Sequence, residues 1–249
     1  MSSKNCQVGF SQRIRLEWLE YTANLVLAGN SRTDVAEALQ ELLMDKVSVG
    51  GKAERSNRSK TITILTRTWS AASSELETFR ARGLELMCQI PPQDRIVLHW
   101  GMTAAAYPFW ADVAIQAGRL MRLQGVVSAA QVQRRMAEHY GDRETVSRAT
   151  RRVMSSFVDW GVLSRAEEKG IYVLGLCVPV SDPRLVSWLV EATLRAGPNS
   201  VAPLRDIIAS PALFPFRLEA IHPEGLIQSS GSLEVFRHGI DVDLVELRR

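Results

Sequence analysis

Glu144, Arg148, Arg151 and Ser155 recur at three- and four-residue spacing, and Val146, Ala149, Val153, Phe157 and Trp160 recur out of phase with them. At roughly 100° per residue, the first set lines one side of a helix and the second lines the other. Ser147 and Arg152 fall on the flanks, and Arg143 opens the first turn. Such a helix docks through its apolar side and offers guanidinium and hydroxyl groups to phosphates and base edges. The chemistry this suits is binding of a polyanion. Arg165 and Lys169 bracket a charged, glycine-containing turn, SRAEEKG, from which a cation reaches a neighbouring phosphate. Arg134 and Arg135 add to the local positive field, while Glu138, Asp142 and Glu144 subtract from it.

A second basic cluster comprises Lys52, Arg55, Arg58, Lys60 and Arg67, with only Glu54 opposing. Its hydroxyl neighbours Ser56, Ser59, Thr61 and Thr63 suit phosphate contacts. A solvated loop explains the same composition equally well, and both readings stay open.

Residues for bond-making chemistry are scarce. His99, His139, His222 and His238 are scattered, and none pairs with cysteine at metal-ligand spacing. His99, beside Trp100 on an apolar helix, reads as a satisfied core residue. Gly50-Gly51-Lys52 lacks the frame of a phosphate-cradling loop, and no Gly-x-Ser-x-Gly elbow occurs. Asp241, Asp243 and Glu246 resemble a cation-holding set, but alternation on a short strand more often makes a solvated edge, and no lysine follows Lys169. The expectation is a non-enzyme with no metal and no cofactor.

The elements that must hold the arginines follow from periodicity and punctuation. Leu16, Leu19, Ala23, Val26 and Leu27 make one helical face, ended by Gly29-Asn30. Ser31 or Thr33 caps a second helix carrying Val35, Leu39, Leu42 and Leu43. Residues 48–60 read as a polar connection, and a long helix is predicted from about Thr61 to Gln89, before Pro91-Pro92. Further helices follow Asp94 and Pro108, the latter running to Gly125. Ser128 caps the next helix, and Asp142 caps the arginine-bearing one. Ile171 to Val180 reads as a buried strand, half the length needed to cross a bilayer. A helix with Leu185, Val186, Trp188, Leu189 and Ala192 comes next, and a hairpin turns at His238-Gly239.

With 249 residues, 46% hydrophobic and 23% charged, the chain is of ordinary globular composition, which excludes disordered and fibrous classes. A net charge of +3 means that any nucleic-acid signal must come from local clustering. Cys6, Cys88 and Cys177, odd in number and far apart, suit a reducing compartment. The polar start, Met1 to Gln12, has no apolar signal core. A cytoplasmic protein without membrane partners is expected.

The fold expected is mainly α. It comprises a helical bundle (1–125, with the basic segment 52–67), a winged helix-turn-helix (126–180) and a small α/β C-terminal extension (181–249) with a terminal β-hairpin. Helix, short turn, helix, strand, charged turn, strand is the order a winged helix requires.

The chain also resembles the BrxA family of bacterial BREX phage-defence systems. The resemblance rests on the early helical pair, the NRSKTITILTRTW segment, the helical middle and ETVSRATRRVMSSFVDWGVL, over residues 10–180. It implies a small, helix-rich, non-enzymatic DNA-binding protein acting beside the methyltransferase, ATPase and phosphatase-like members of the same defence cluster. Double-stranded DNA would then meet the basic positions of the two quoted segments. Residues 181–249 fall outside it. Two alternatives use the same module: a sequence-specific transcriptional regulator, and a protein-interaction scaffold of a defence complex.

Overall fold

The computed structural model describes residues 8–47, 56–219, 221–238 and 242–248, and these are mainly helical with small sheets. Helix α1 spans Leu16–Leu27 and α2 spans Arg32–Leu42. Gly29, at φ +82, turns the chain between them. The Ser31 hydroxyl accepts from the Asp34 amide while the Asp34 carboxylate accepts from the Ser31 amide, a reciprocal capping box that starts α2.

The long helix expected over residues 61–89 is two helices, α3 (Asn57–Trp69) and α4 (Glu77–Gln89). The break falls in Ser70-Ala71-Ala72-Ser73, and its serines favour backbone turns over continued helix. The start also moves four residues earlier, because Ser56 caps α3 by accepting from the Ser59 amide. Arg58 and Lys60 therefore belong to a helix and not to the connection.

Every residue of α5 (Ile96–Ala106) is buried, so this helix is the axis of the core. Helix α6 (Pro108–Gln124) follows directly, with Pro108 at its first position and Gly125 closing it in the left-handed conformation. Close packing around α5 depends on missing side chains. A Cβ on Gly101 would sit 2.2 Å from Trp188 Nε1, and one on Gly83 would sit 2.5 Å from the same ring.

Strand β1 (Val127–Ser128) then leads into α7 (Ala129–Tyr140), α8 (Glu144–Asp159), β2 (Leu163–Arg165) and β3 (Ile171–Leu174). The strands form one antiparallel sheet in the order β1-β3-β2, with Ser128 opposite Ile171 and Arg165 opposite Tyr172. Ser128 caps α7 as expected. Asp142 does not cap α8: the cap position is Arg143, which makes no side-chain capping bond.

Nor is the apolar run 171–180 one buried strand. It divides at Gly175-Leu176-Cys177 into β3 and β4 (Val178–Val180), and Leu174 and Leu176 are exposed. Gly175 lies against the backbone of Gly161, where a Cβ would meet the Gly161 oxygen at 2.1 Å. That close approach breaks the run and sends its two halves to different sheets.

Helix α9 (Pro183–Ala196) buries Leu185, Val186, Trp188, Leu189 and Ala192 as its periodicity predicts. After it come β5 (Val201–Pro203), α10 (Leu204–Ile208), β6 (Phe216–Leu218) and α11 (Pro223–Ser229). Strands β7 (Leu233–His238) and β8 (Val242–Leu247) form the expected terminal hairpin, whose turn residues Gly239, Ile240 and Asp241 lie outside the described residues. Strand β4 pairs in parallel with β6, and β5 joins the outer side of β8. One apolar cluster runs from Phe10 to Val245, so all three segments of the chain contribute to a single core. Among the described residues, no helix is long and apolar enough to cross a membrane.

Candidate nucleic-acid interface

Helix α8 divides as its spacing requires. Val146, Ala149, Val153 and Phe157 are buried, as is Trp160 just beyond, whereas Arg148, Arg151 and Arg152 are exposed. The inner face is gripped by aromatic rings: Phe157 lies 5.2 Å from Trp100 and 5.1 Å from Trp110, centre to centre. The C-terminal half is also tied to the start of the chain. The Ser156 hydroxyl accepts from the Ile14 amide at 2.9 Å, Trp160 Nε1 donates to the Ile14 carbonyl at 2.9 Å, and Arg13 pairs with Asp159. Sequence reasoning missed this brace, because no local signal links residues more than 140 positions apart. The outer face therefore projects from a helix held along its whole length.

The outward groups differ in what they already hold. Arg148 is ion-paired with Glu144, one turn earlier. Arg143 donates to the Tyr140 carbonyl at 3.0 Å, and the Ser147 hydroxyl donates to Gln133 Oε1 at 2.9 Å, which ties α8 to α7. Arg151, Arg152, Arg165 and Lys169 are exposed, and their side chains have no hydrogen-bond or ion-pair partner among the described residues. Arg151 and Arg152 are thus the cations of α8 that a phosphate meets without first displacing a carboxylate.

Arg165 and Lys169 sit on the β2–β3 hairpin. Gly170, at φ +85, closes its turn, and the Ala129 amide donates to the Gly170 carbonyl at 2.9 Å. The hairpin is thereby fixed to the start of α7. Glu167 and Glu168 are exposed in the same turn, so positive and negative groups balance there.

The second basic cluster is described only at Arg58, Lys60 and Arg67. Lys52 and Arg55 lie outside the described residues. Arg58 donates to the Met44 carbonyl at 2.6 Å, and its Nε is enclosed, so it fastens α3 to the end of α2. Lys60 and Arg67, seven residues apart, share one side of α3 and are exposed. Arg67 lies over the Tyr107 ring at 5.2 Å. The hydroxyls expected to bind phosphate are engaged elsewhere: Thr61 donates to Asn57 O at 2.8 Å and Thr63 to Ser59 O at 2.9 Å. Ser56 and Thr61 are also buried. Back-bonding to the preceding turn is the usual fate of such hydroxyls inside a helix.

An open groove of about 640 Å³ runs past Arg13, Arg15, Glu20, Arg95 and His99. His99 is buried, its Nδ1 accepts from Trp69 Nε1 at 3.0 Å, and its Nε2 meets Glu20 at 2.8 Å. An indole nitrogen only donates, so Nδ1 carries no proton and the ring is neutral, donating to Glu20 through Nε2. Burial pushes its pKa down. Accepting from His99 and Arg95 holds the Glu20 carboxyl down at about 2. Both imidazole nitrogens are engaged in these two hydrogen bonds. His99 is the satisfied core residue its surroundings predicted. Among the described residues, no cluster of His, Cys, Asp and Glu is arranged to hold a metal.

No protein-family model matches this sequence, and neither curated proteins nor solved structures provide a match.

Proposed function

We propose that residues 126–180 form a winged helix-turn-helix that binds double-stranded DNA without acting on it chemically. In this reading α7 and α8 are the helix pair, α8 is the recognition helix and the β2–β3 hairpin is the wing. The observation that carries it is the pair Arg151 and Arg152, exposed and without partners among the described residues, on a helix whose other face is locked. The order β1, α7, α8, β2, β3 and the sheet order β1-β3-β2 agree with it. Arg148 joins these contacts once it exchanges Glu144 for a phosphate, while Arg165 and Lys169 reach the backbone beside the groove. Lys60 and Arg67 supply a secondary contact.

The resemblance to the BrxA family extends the proposal to a cytoplasmic accessory protein of BREX-type phage defence, acting on duplex DNA beside its methyltransferase and ATPase. Most of the binding energy then comes from phosphates, so affinity falls steeply with salt and sequence preference is weak. Mobility shifts on random-sequence duplexes at low and high salt test this. Salt-dependent retardation of every duplex is expected, and a single enriched motif from a random library would favour a transcriptional regulator.

The scaffold reading has one observation in its favour. Leu174 and Leu176 are exposed where the hairpin ends, and apolar side chains of this kind anchor protein interfaces. Capture of defence partners by a protein with no duplex affinity would support it.

A further inference from the structure

A half-enclosed pit of about 150 Å³ lies between α5, α6, α9 and the turn at 210–213. Its walls are Trp100 and Leu189, together with Ala104, Ala111, Ala192 and Ala196, whose methyl groups are too short to fill it. An apolar void of ~150 Å³ is large enough to take up benzene. Three residues with polar side chains are part of its lining. The Thr193 hydroxyl donates to Leu189 O at 2.8 Å, and the Ser210 hydroxyl oxygen accepts from the Ala212 amide at 3.3 Å. The third is Asp112, a half-buried acceptor. Its Oδ2 accepts from the Tyr140 hydroxyl at 2.5 Å and lies 3.9 Å from His139 Nε2. Its Oδ1 has no hydrogen-bond partner among the described residues.

We infer that this pit is a binding site for a small molecule built on one aromatic ring system with a single N–H or O–H donor. The ring fills the alanine-lined void, and the donor reaches Asp112 Oδ1. The size of the void sets the ring, and the carboxylate oxygen Asp112 Oδ1, without a hydrogen-bond partner among the described residues, sets the donor.

Occupancy of the pit reaches the start of α8. Asp112 holds the hydroxyl of Tyr140, the last residue of α7, and the Tyr140 carbonyl accepts from Arg143 at the cap of α8. Phe109 holds the Tyr140 ring edge-on at 4.9 Å. A ligand on Asp112 therefore bears on the α7–α8 turn through one side chain. This inference concerns the pit and the turn alone and holds whether or not α8 binds DNA.

Indole is the probe. Calorimetric titration of the full chain, without DNA, should give one saturable site with a dissociation constant between about 10 μM and 1 mM, the range open to a ligand this small. Amide resonances of residues 141–146 should shift along with those lining the pit. Ala196→Leu, at the mouth, should weaken indole by at least about tenfold, because the larger side chain takes up space the ring needs. Asp112→Asn keeps an acceptor for Tyr140 and should weaken indole while leaving benzene unchanged. It also serves if Ala196→Leu fails to fold. No saturation up to the solubility of indole, or indole binding unaltered by both substitutions, would overturn the site. Shifts confined to the pit would overturn its link to the turn.

Discussion

Glu144 and Arg148 form an ion pair one turn apart on the exposed face of α8. Both side chains are largely solvent-exposed, and a pair of this kind contributes only about 0.3–0.5 kcal/mol to a helix. Its larger consequence concerns binding. Glu144 sets a carboxylate where a phosphate would come and occupies the guanidinium that would meet it. Glu144→Ala should therefore tighten duplex binding, by about threefold to tenfold at low salt, through removal of one repulsive charge and release of Arg148. Fluorescence anisotropy against a labelled duplex checks this, and equal or weaker binding would place the DNA elsewhere.

Ser156 separates stability from binding. Its hydroxyl accepts from the Ile14 amide and is fully buried, so Ser156→Ala leaves a buried donor unsatisfied. A drop of about 1–3 kcal/mol in urea unfolding is expected. Because the hydroxyl lies on the inner face of α8, duplex affinity under native conditions should stay within about twofold of the parent.

Gly101→Ala tests the packing around α5. The added methyl would meet Trp188 Nε1 at 2.2 Å inside a helix with no exposed residue. Overpacking of this kind costs about 1–3 kcal/mol or more. The urea midpoint should fall accordingly, and an unchanged midpoint would mean that Trp188 moves freely in its slot.

Acid should destabilise the fold in two stages. His99 is held neutral, its folded pKa below the ordinary 6.5, so below that pH the unfolded chain takes up a proton that the folded chain refuses. Stability falls as pH drops through the region under 6.5. The Glu20 pKa is about 2 in the fold against an ordinary 4.5, so its contribution is complete above pH 4.5 and is lost as pH falls toward 2. Each such proton changes stability by about 1.4 kcal/mol per pH unit within its window. Urea midpoints from pH 7.5 to pH 3 check the sign. In His99→Gln the first stage should vanish, and a stability that rises on acidification would contradict the assignment.

The sequence revealed α8 well because amphipathic periodicity is a local property. The side to which Val146, Ala149, Val153 and Phe157 belong is decided within four turns. Gly29, Ser31, Gly125 and Ser128 are legible as punctuation for the same reason. What failed depends on which partners each group finds in the fold, distant or local. The apolar content of residues 171–180 predicts one buried strand, yet the approach of Gly175 to Gly161 splits it and leaves Leu174 and Leu176 exposed. The Ser/Thr-rich start of α3 suits phosphate by composition, but its hydroxyls are bonded within their own helix. Arg58 reads as a free cation, but the Met44 carbonyl holds it. Composition counts the groups that can bind a phosphate, but the fold decides which are already engaged.

The most direct test of the account is the salt dependence of duplex affinity for the parent and for the Arg151→Ala/Arg152→Ala double variant. Removing one phosphate-binding cation should lower the slope of log affinity against log salt by about 0.9, so the double variant should have a slope shallower by about 1.8 and bind more weakly at every salt concentration. The substitutions lie on the exposed face and should leave the urea midpoint unchanged. A parent whose affinity ignores salt, or a folded double variant that matches the parent in slope and affinity, would contradict the reading of α8 as the DNA-facing helix.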